Sequence, residues 1–557
     1  MKPEETEAQL QKALHNLKAG KFQEAEQELQ TLLQSSSHPG ALLLLSSLKL
    51  SQNQVQLAIQ LCLQALQIAP EDPDVHYSLG LAYYAHQEVE PALTHLRQAT
   101  ALNPKHTHAL LRMGQIYLRH GLPFHAFACL EQGQGLLPEQ AVDARAFSLA
   151  AWLCGFFEPF QSWIQRYFKQ LNSPPLQLEV WSRYLDLLAS QSEVSDQTLE
   201  TQRLQIQWPE WNQPPSPPKR SEALLKLLFL LSASKAPPTP LLEECKKSQR
   251  WEIQVLYAES PQPGTPLVWR TEQTQQAIDP VAFLQTQPPN CILDLCGPEL
   301  SESLQLAPYA PQTVWLKGLE AENGIPEIKP IKRFKLSHNQ LCDKNSCLPL
   351  LWTDSLPELP VLPFPQGAPV AGYAGPLRYL SNQTLSYWGD LLLHLPDLRL
   401  CLFTQAFDDP LMRQYIEQVF QRRGISSYRL RFWGACTSQE PLRFFHQQIH
   451  LALAPFPQNS LKASCQALWL GRPLLTLNHP NWEQRNAAAA VLNTLELREW
   501  VCTSQDEFLT RAENLIAHPP EGTLLREKLQ NSSLLNRKNW IDCFDHFLKR
   551  ESEDHAA

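Results

Sequence analysis

Hydrophobic positions divide this chain into two regimes. Through roughly the first 195 residues they follow helical periodicity. After about residue 220 they become short apolar runs alternating with helix-like segments, the mark of an α/β layer architecture. The runs Leu227–Leu231, Ile253–Tyr257, Cys291–Leu295, Leu398–Phe403, Arg429–Phe432, Leu451–Ala454 and Leu474–Leu477 are expected strands. Thr384–His394 and Pro410–Arg423 suit the crossover helices of a parallel sheet.

Within the first regime the pattern repeats at about 34 residues. Gly80, Tyr83, Ala92, Leu96, Ala99 and Pro104 occupy small, aromatic, small, large, small and proline positions, and Gly114, Tyr117, Ala126, Leu130, Gly133 and Pro138 follow one period later. One period earlier stand Ser46, Ala58, Cys62, Ala65 and Pro70, with Lys49 breaking the aromatic position; Gly20, Phe22, Ala25 and Leu29 mark a first, less regular unit. Small residues let paired helices approach, large ones fill the gap, and the proline ends the second helix so that the next pair can stack. This is the tetratricopeptide (TPR) pattern, an α-solenoid whose groove suits a protein or peptide partner. Past Pro138 it decays. Trp152, Phe156, Phe157 and Trp163 are too bulky for it, so Ala141 to about Ser195 is expected either to cap the solenoid or to form a separate helical subdomain.

Prolines mark the remaining boundaries. They are densest in Trp208–Arg220, which can neither continue a helix nor join a central strand. A second cluster, Leu356–Pro369, splits the later strands into two groups. The expected division is TPR repeats over 1–140, an atypical helical cap or spacer over 141–207, a linker over 208–220, and two doubly wound lobes over 221–362 and 363–550. Ligands of such sheets sit beyond the carboxyl ends of the strands.

Charge removes some partners. A formal net charge of −9 gives no field to gather nucleic acid or an anionic membrane, and no apolar run approaches the roughly 18 residues of a membrane span. The N-terminal MKPEETEAQLQKAL reads as a charged helix rather than a secretory signal, and the 13 scattered cysteines fit a reduced, cytoplasmic setting. Cys342 and Cys347 lack the further ligands of a zinc site.

Several stretches then carry a resemblance. Gln466–Leu477 reads QALWLGRPLLTL and is followed by Arg485-Asn-Ala-Ala488 and Leu495-Glu-Leu497, while Pro308–Leu316 reads PYAPQTVWL. With Leu524–Leu529, Leu534–Asn536 and a closing helix over Trp540–Phe547, these are collinear with and resemble the O-GlcNAc transferase family, including the Spindly proteins, whose members also carry N-terminal TPR arrays. The resemblance implies a GT-B fold of two Rossmann-like lobes. It also implies sugar transfer to Ser or Thr of a protein held by the TPR groove, from a nucleotide-sugar donor such as UDP-GlcNAc or GDP-fucose, without an essential metal or other cofactor.

Such transfer needs the leaving diphosphate stabilised and the base and ribose docked. A helix beginning near Asn459–Lys462 would supply backbone N–H groups and a favourable dipole. Where the family reads roughly Gly-His-Thr-Thr and then an aspartate, this chain has Ser460, Leu461, Lys462 and Ala463, then Gln466. Lys462 would place a charge on a phosphate and Gln466 a hydrogen bond on a ribose hydroxyl; the bland alternative is two exposed helix residues. The family's Gln and Lys before its first C-terminal-lobe helix align with Pro376 and Tyr379, and Arg378 offers a cation one place away. Arg485 would line the cleft, paired either with the donor or with a structural carboxylate. The family's histidine loop is replaced by Ser232–Pro240 without a histidine, so no catalytic residue is assigned, and a base would have to come from His338, His479 or Glu483. Two readings stay open: a metal-independent glycosyltransferase with the donor set Arg378, Asn459, Ser460, Lys462, Gln466 and Arg485, or an inactive transferase-like scaffold acting through its TPRs.

Overall fold

The structure is a computed structural model. It describes residues 3–35, 37–133, 141–171, 174–195, 197–198, 225–232, 245–259, 268–271, 277–280, 283, 291–294, 312–315, 333–335, 360–434, 446–482 and 486–535. The chain divides into two compact units, Met1–Phe147 and Ser148–Ala557.

The first unit stacks helix pairs: α1 (Pro3–Lys18) with α2 (Phe22–Ser35), α3 (Pro39–Ser51) with α4 (Val55–Ile68), α5 (Pro73–Ala85) with α6 (Val89–Leu102), and α7 (Thr107–Arg119) with α8 (Pro123–Gly133). The expected small and large positions meet as the pattern requires. A Cβ on Gly80 would lie 2.8 Å from Leu96 Cγ, and one on Gly114 2.5 Å from Leu130 Cγ, so glycine sets how closely the paired helices approach. One repeat earlier Ser46 takes the small position, donating to the Ala58 carbonyl at 3.1 Å. Lys49, the break in the aromatic position, is buried and ion-paired to Glu26 of the preceding repeat. Entry to α5 is fixed by the Asp72 carboxylate accepting from the Asp74 N–H, with Pro73 in the first turn.

α9 (Ala141–Cys154) straddles the boundary, and α10 (Phe157–Tyr167) and α11 (Pro174–Ala189) belong to the second unit, joined by stacked Phe157 and Tyr184. This stretch packs on turn and helix residues that lie between the later strands. The Trp482 indole N–H donates to the Ser192 carbonyl at 3.0 Å, and Phe156 meets Tyr415 edge-on at 5.5 Å. At Gly155, with φ +74°, a Cβ would stand 3.1 Å from Arg378 Cα, so both the turn and the close approach demand glycine.

Two six-stranded sheets follow. The first comprises β1 (Leu225–Ser232), β2 (Trp251–Glu259), β3 (Val268–Thr271), β4 (Cys291–Asp294), β5 (Gln312–Trp315) and β6 (Arg333–Lys335), in the order β3-β2-β1-β4-β5-β6, parallel except for β3 against β2. The second comprises β7 (Val370–Ala374), β8 (Arg399–Phe403), β9 (Leu430–Trp433), β10 (Leu451–Leu453), β11 (Leu474–Leu477) and β12 (Val501–Cys502). Its order is β12-β11-β10-β7-β8-β9, parallel throughout, with α12 (Asn382–His394), α13 (Pro410–Gln421), α14 (Leu461–Trp469), α15 (Ala487–Thr494), α16 (Gln505–Ala517) and α17 (Gly522–Gln530) connecting or following the strands.

The seven expected strands correspond to β1, β2, β4, β8, β9, β10 and β11. Five others were not expected. Chief among them is β7, the central strand of its sheet, which reads VAGYA directly after the proline cluster and so shows no bulky apolar run. Its small residues fit a strand flanked on both sides. The expected linker 208–220, the closing helix Trp540–Phe547, and Cys342 and Cys347 lie outside the described residues.

Candidate functional site

In the second sheet the chain leaves β7 in one direction to β8 and β9, then returns to the other side of β7 for β10, β11 and β12. The switch point therefore lies between β7 and β10, where open α/β sheets ordinarily leave a ligand crevice. Helix α14 starts just beyond β10, with Ser460 as its N-cap: the hydroxyl accepts from the Ala463 N–H at 3.3 Å. This is the helix start expected from the sequence.

Phe456, between β10 and α14, is tied to the start of α12. Ser381 Oγ and Thr384 Oγ1, at the start of α12, donate to the Phe456 carbonyl at 3.0 and 2.7 Å, and the Phe456 N–H returns a bond to Thr384 Oγ1 at 3.1 Å. The fully buried Phe456 ring stacks 6.2 Å from Trp482 and meets Tyr387 edge-on at 5.2 Å. Between the start of α14 and the strands lies a small cavity of about 20 Å³ among Gly372, Tyr373, His446, Ala454, Asn459 and Ser460. That is room for one water.

Asn459 and Ser460 share this cavity, but Asn459 is engaged within the protein. It is buried, its Nδ2 donates to the Pro455 carbonyl at 3.0 Å and to Asn486 Oδ1 at 2.7 Å, and its Oδ1 accepts from the Ala488 N–H at 2.7 Å. Asn486 completes the bracket, accepting from the Ala489 N–H at 2.9 Å and donating to the Leu477 carbonyl at 2.8 Å. The two amides thus tie together the N-terminal turns of α14 and α15.

Lys462 and Gln466 stand elsewhere on α14. Ser460, Ala463, Ser464 and Ala467 line the cavity, and at 3.6 residues per turn Lys462 and Gln466 lie about 110–150° around the helix from that face. Gln466 is buried, and Lys462 is partly exposed, with no hydrogen bond or ion pair of its side chain among the described residues. Arg378 follows β7 in a short 3₁₀ turn. It is 7 % exposed, and its guanidinium lies 3.9 Å from the Trp152 ring centroid and 5.0 Å from that of Tyr379. That cation holds the end of α9 against the sheet. Arg485, Glu483 and His338 lie outside the described residues. His479 is exposed, and its Nδ1 accepts from the Asn481 N–H at 3.2 Å.

Strongly perturbed groups beside the cavity sit in the framework. Arg472, fully buried, donates to the carbonyls of His446, Leu362 and Pro363 at 2.7, 3.1 and 2.6 Å, and burial lowers it to about 10. Burial, then the Arg472 charge, push His446 down to about 3. Arg472 and Asn486 were missed because key partners lie elsewhere in the chain, the Leu362 and Pro363 carbonyls for Arg472 and the Asn459 side chain for Asn486, and His446 because its burial beside Arg472 follows from that packing. Only Asn486, immediately before an alanine run, carried a readable signal, that of a helix cap. Among the described residues no group of three or more His, Cys, Asp or Glu side chains is placed to hold a metal, and no helix is long and apolar enough to cross a membrane.

Comparisons with known proteins agree with this architecture. Tetratricopeptide-repeat family models match residues 48–87 and 77–123. A tetratricopeptide repeat protein 21 homolog of Caenorhabditis briggsae is 30% identical over 102 residues, and the match spans 18% of this chain and only 8% of that protein's length. Among solved structures, a point mutant of the Thermobaculum terrenum O-GlcNAc transferase superposes with a TM-score of 0.54 at 20% identity, over 93% of this chain and 98% of that one. The chain therefore joins TPR repeats, a module for binding protein partners, to a parallel-sheet domain in an architecture like that of an O-GlcNAc transferase.

Proposed function

We propose that this protein is a TPR-based protein-binding scaffold whose C-terminal sheet domain keeps a transferase-like frame without working as a sugar-transfer site. The observation that carries this is Asn459 at the start of α14, whose buried amide is bonded within the protein to Pro455, Asn486 and Ala488. Two of the polar groups expected to serve a donor, Asn459 and Arg378, are engaged with other parts of the protein. Asn459 brackets two helices, Arg378 stacks on Trp152, and Lys462 and Gln466 sit on the flank of α14 away from the cavity. Residues that resemble the transferase family survive where they support the frame, as Gly471 does with φ +78° in the turn before β11.

The cysteines whose side chains are described, such as Cys62, Cys401 and Cys465, are free thiols, which supports a reducing, cytoplasmic compartment. One observation favours the enzyme reading: the first backbone N–H groups of α14 precede any intrahelical acceptor, with Lys462 beside them. Incubating the full chain with radiolabelled UDP-GlcNAc and GDP-fucose, with and without Ser/Thr-rich peptides, decides between the two. The scaffold reading expects no incorporation above that of heat-denatured protein. Incorporation that disappears in Lys462→Ala would replace it with a transferase.

A further inference from the structure

The exposed face of the repeats gives the partner a chemistry, on the premise that the array binds protein. On α1 Leu10, Leu14 and Leu17, and on α5 Tyr77, Leu81 and Tyr84, stand at i, i+4 and i+7, and all six are partly exposed, Leu10 and Leu17, like Leu43 on α3, with one side packed on the core beneath. That spacing puts each trio on one helix face. The same register gives Leu43, Ser47 and Leu50 on α3, and on α7 Gln115 and Leu118 after the buried Leu111. Neighbouring stripes meet. Arg119, at the end of α7, donates to the Tyr84 hydroxyl at 3.2 Å, and the Tyr77 ring lies 5.1 Å from His106, which precedes α7.

Seven residues along a helix cover about 10 Å, and four helices packed side by side at 8–10 Å extend about 30 Å. The result is an apolar floor, about 10 Å wide, of leucine and tyrosine. An extended peptide laid on it would bring bare N–H and C=O groups against leucine and tyrosine side chains over most of its length, with Ser47, Gln115 and two tyrosine hydroxyls along the floor and Arg112 and Arg119 at one end. A helix bonds its own backbone, needs only an apolar face, and has a matching diameter of about 10–12 Å. The α7 end is cationic. Arg112, partly exposed, and Arg119, exposed, are seven residues apart and share a face, and neither pairs with a carboxylate among the described residues.

We infer that the repeats hold an amphipathic α-helix of a partner protein, apolar at i, i+4 and i+7 and acidic at the end that meets Arg112 and Arg119. Fluorescence anisotropy on the full chain tests it with three labelled peptides of about 20 residues: a helix with a leucine face and a glutamate end, the same helix with lysines for the glutamates, and a proline-interrupted peptide of the first composition. The expected result is saturable binding of the glutamate helix and at least about tenfold weaker binding of the other two. Leu81→Glu should abolish that binding, and the doubly substituted R112E/R119E protein, a surface change, should reverse the charge preference. Equal binding of the first two peptides, or no binding of any, overturns the inference. Binding of the proline-interrupted peptide as tightly as the helix, lost in Leu81→Glu, would remove the helix while leaving a protein-binding groove. Peptide binding indifferent to Leu81→Glu would remove the groove itself.

Discussion

Asn486, fully buried, makes four hydrogen bonds through one amide, to Asn459, the Ala489 N–H, the Leu477 carbonyl and, at 3.4 Å, Thr476 Oγ1. Asn486→Ala strands at least three buried groups, so it should lower the stability of the second unit by about 2–4 kcal/mol, read as a fall in its urea midpoint. His446 makes a second prediction. The folded protein holds it near 3 against an ordinary value of 6.5, because burial and the Arg472 charge disfavour the imidazolium. Below pH 6.5 an unfolded chain therefore takes up a proton that the folded chain refuses, and stability present above that pH is lost as pH falls toward 3, by up to about 1.4 kcal/mol per unit. Urea midpoints at pH 7 and pH 5 should show this loss, and His446→Gln should flatten it. At this scale the sequence placed the helix start but not the partners of its side chains. Asn459 and Ser460 are at the helix start as expected, but a single position does not reveal that the Asn459 amide is answered by Asn486 27 residues on. Nor does Arg378 reveal that Trp152, more than 200 residues earlier, receives its cation.

Among elements, the repeat pairs were the most legible because each position has one steric job. Glycine to alanine in a helix interior ordinarily gains up to about 1 kcal/mol. Gly114→Ala should instead cost about 1–3 kcal/mol, since its Cβ would stand 2.5 Å from Leu130 Cγ. Thermal melting of the repeats by circular dichroism measures the loss, and adding Leu130→Ala should make the glycine substitution nearly neutral on that background. The cap at Ser460 is a smaller lever. Ser460→Ala releases the Ala463 N–H and should cost about 1 kcal/mol, without altering any ligand-dependent signal if α14 is purely structural. Strands of bulky apolar residues, such as β11 (LLTL) and β8 (RLCLF), announced themselves. β7 did not, because its place in the middle of a sheet is set by pairing with β8 and β10, which no local run encodes.

On the scale of the whole molecule, the order of parts was readable: helical repeats, bulky helices that depart from the repeat, then two groups of strands. The repeat period and the proline clusters are local features of the chain. Whether the transferase-like frame retains its chemistry was not readable, because that depends on what fills the space between β7 and β10. In the structure the described polar groups there are partly engaged within the protein: Asn459 with Asn486, and the Phe456 carbonyl with Ser381 and Thr384. The most direct measurement is calorimetric titration of the full chain with UDP, GDP, UDP-GlcNAc and GDP-fucose. The scaffold reading predicts no saturable heat with any of the four, in the native protein and in Lys462→Ala alike; saturable binding that Lys462→Ala abolishes would contradict it and establish a working donor site on α14.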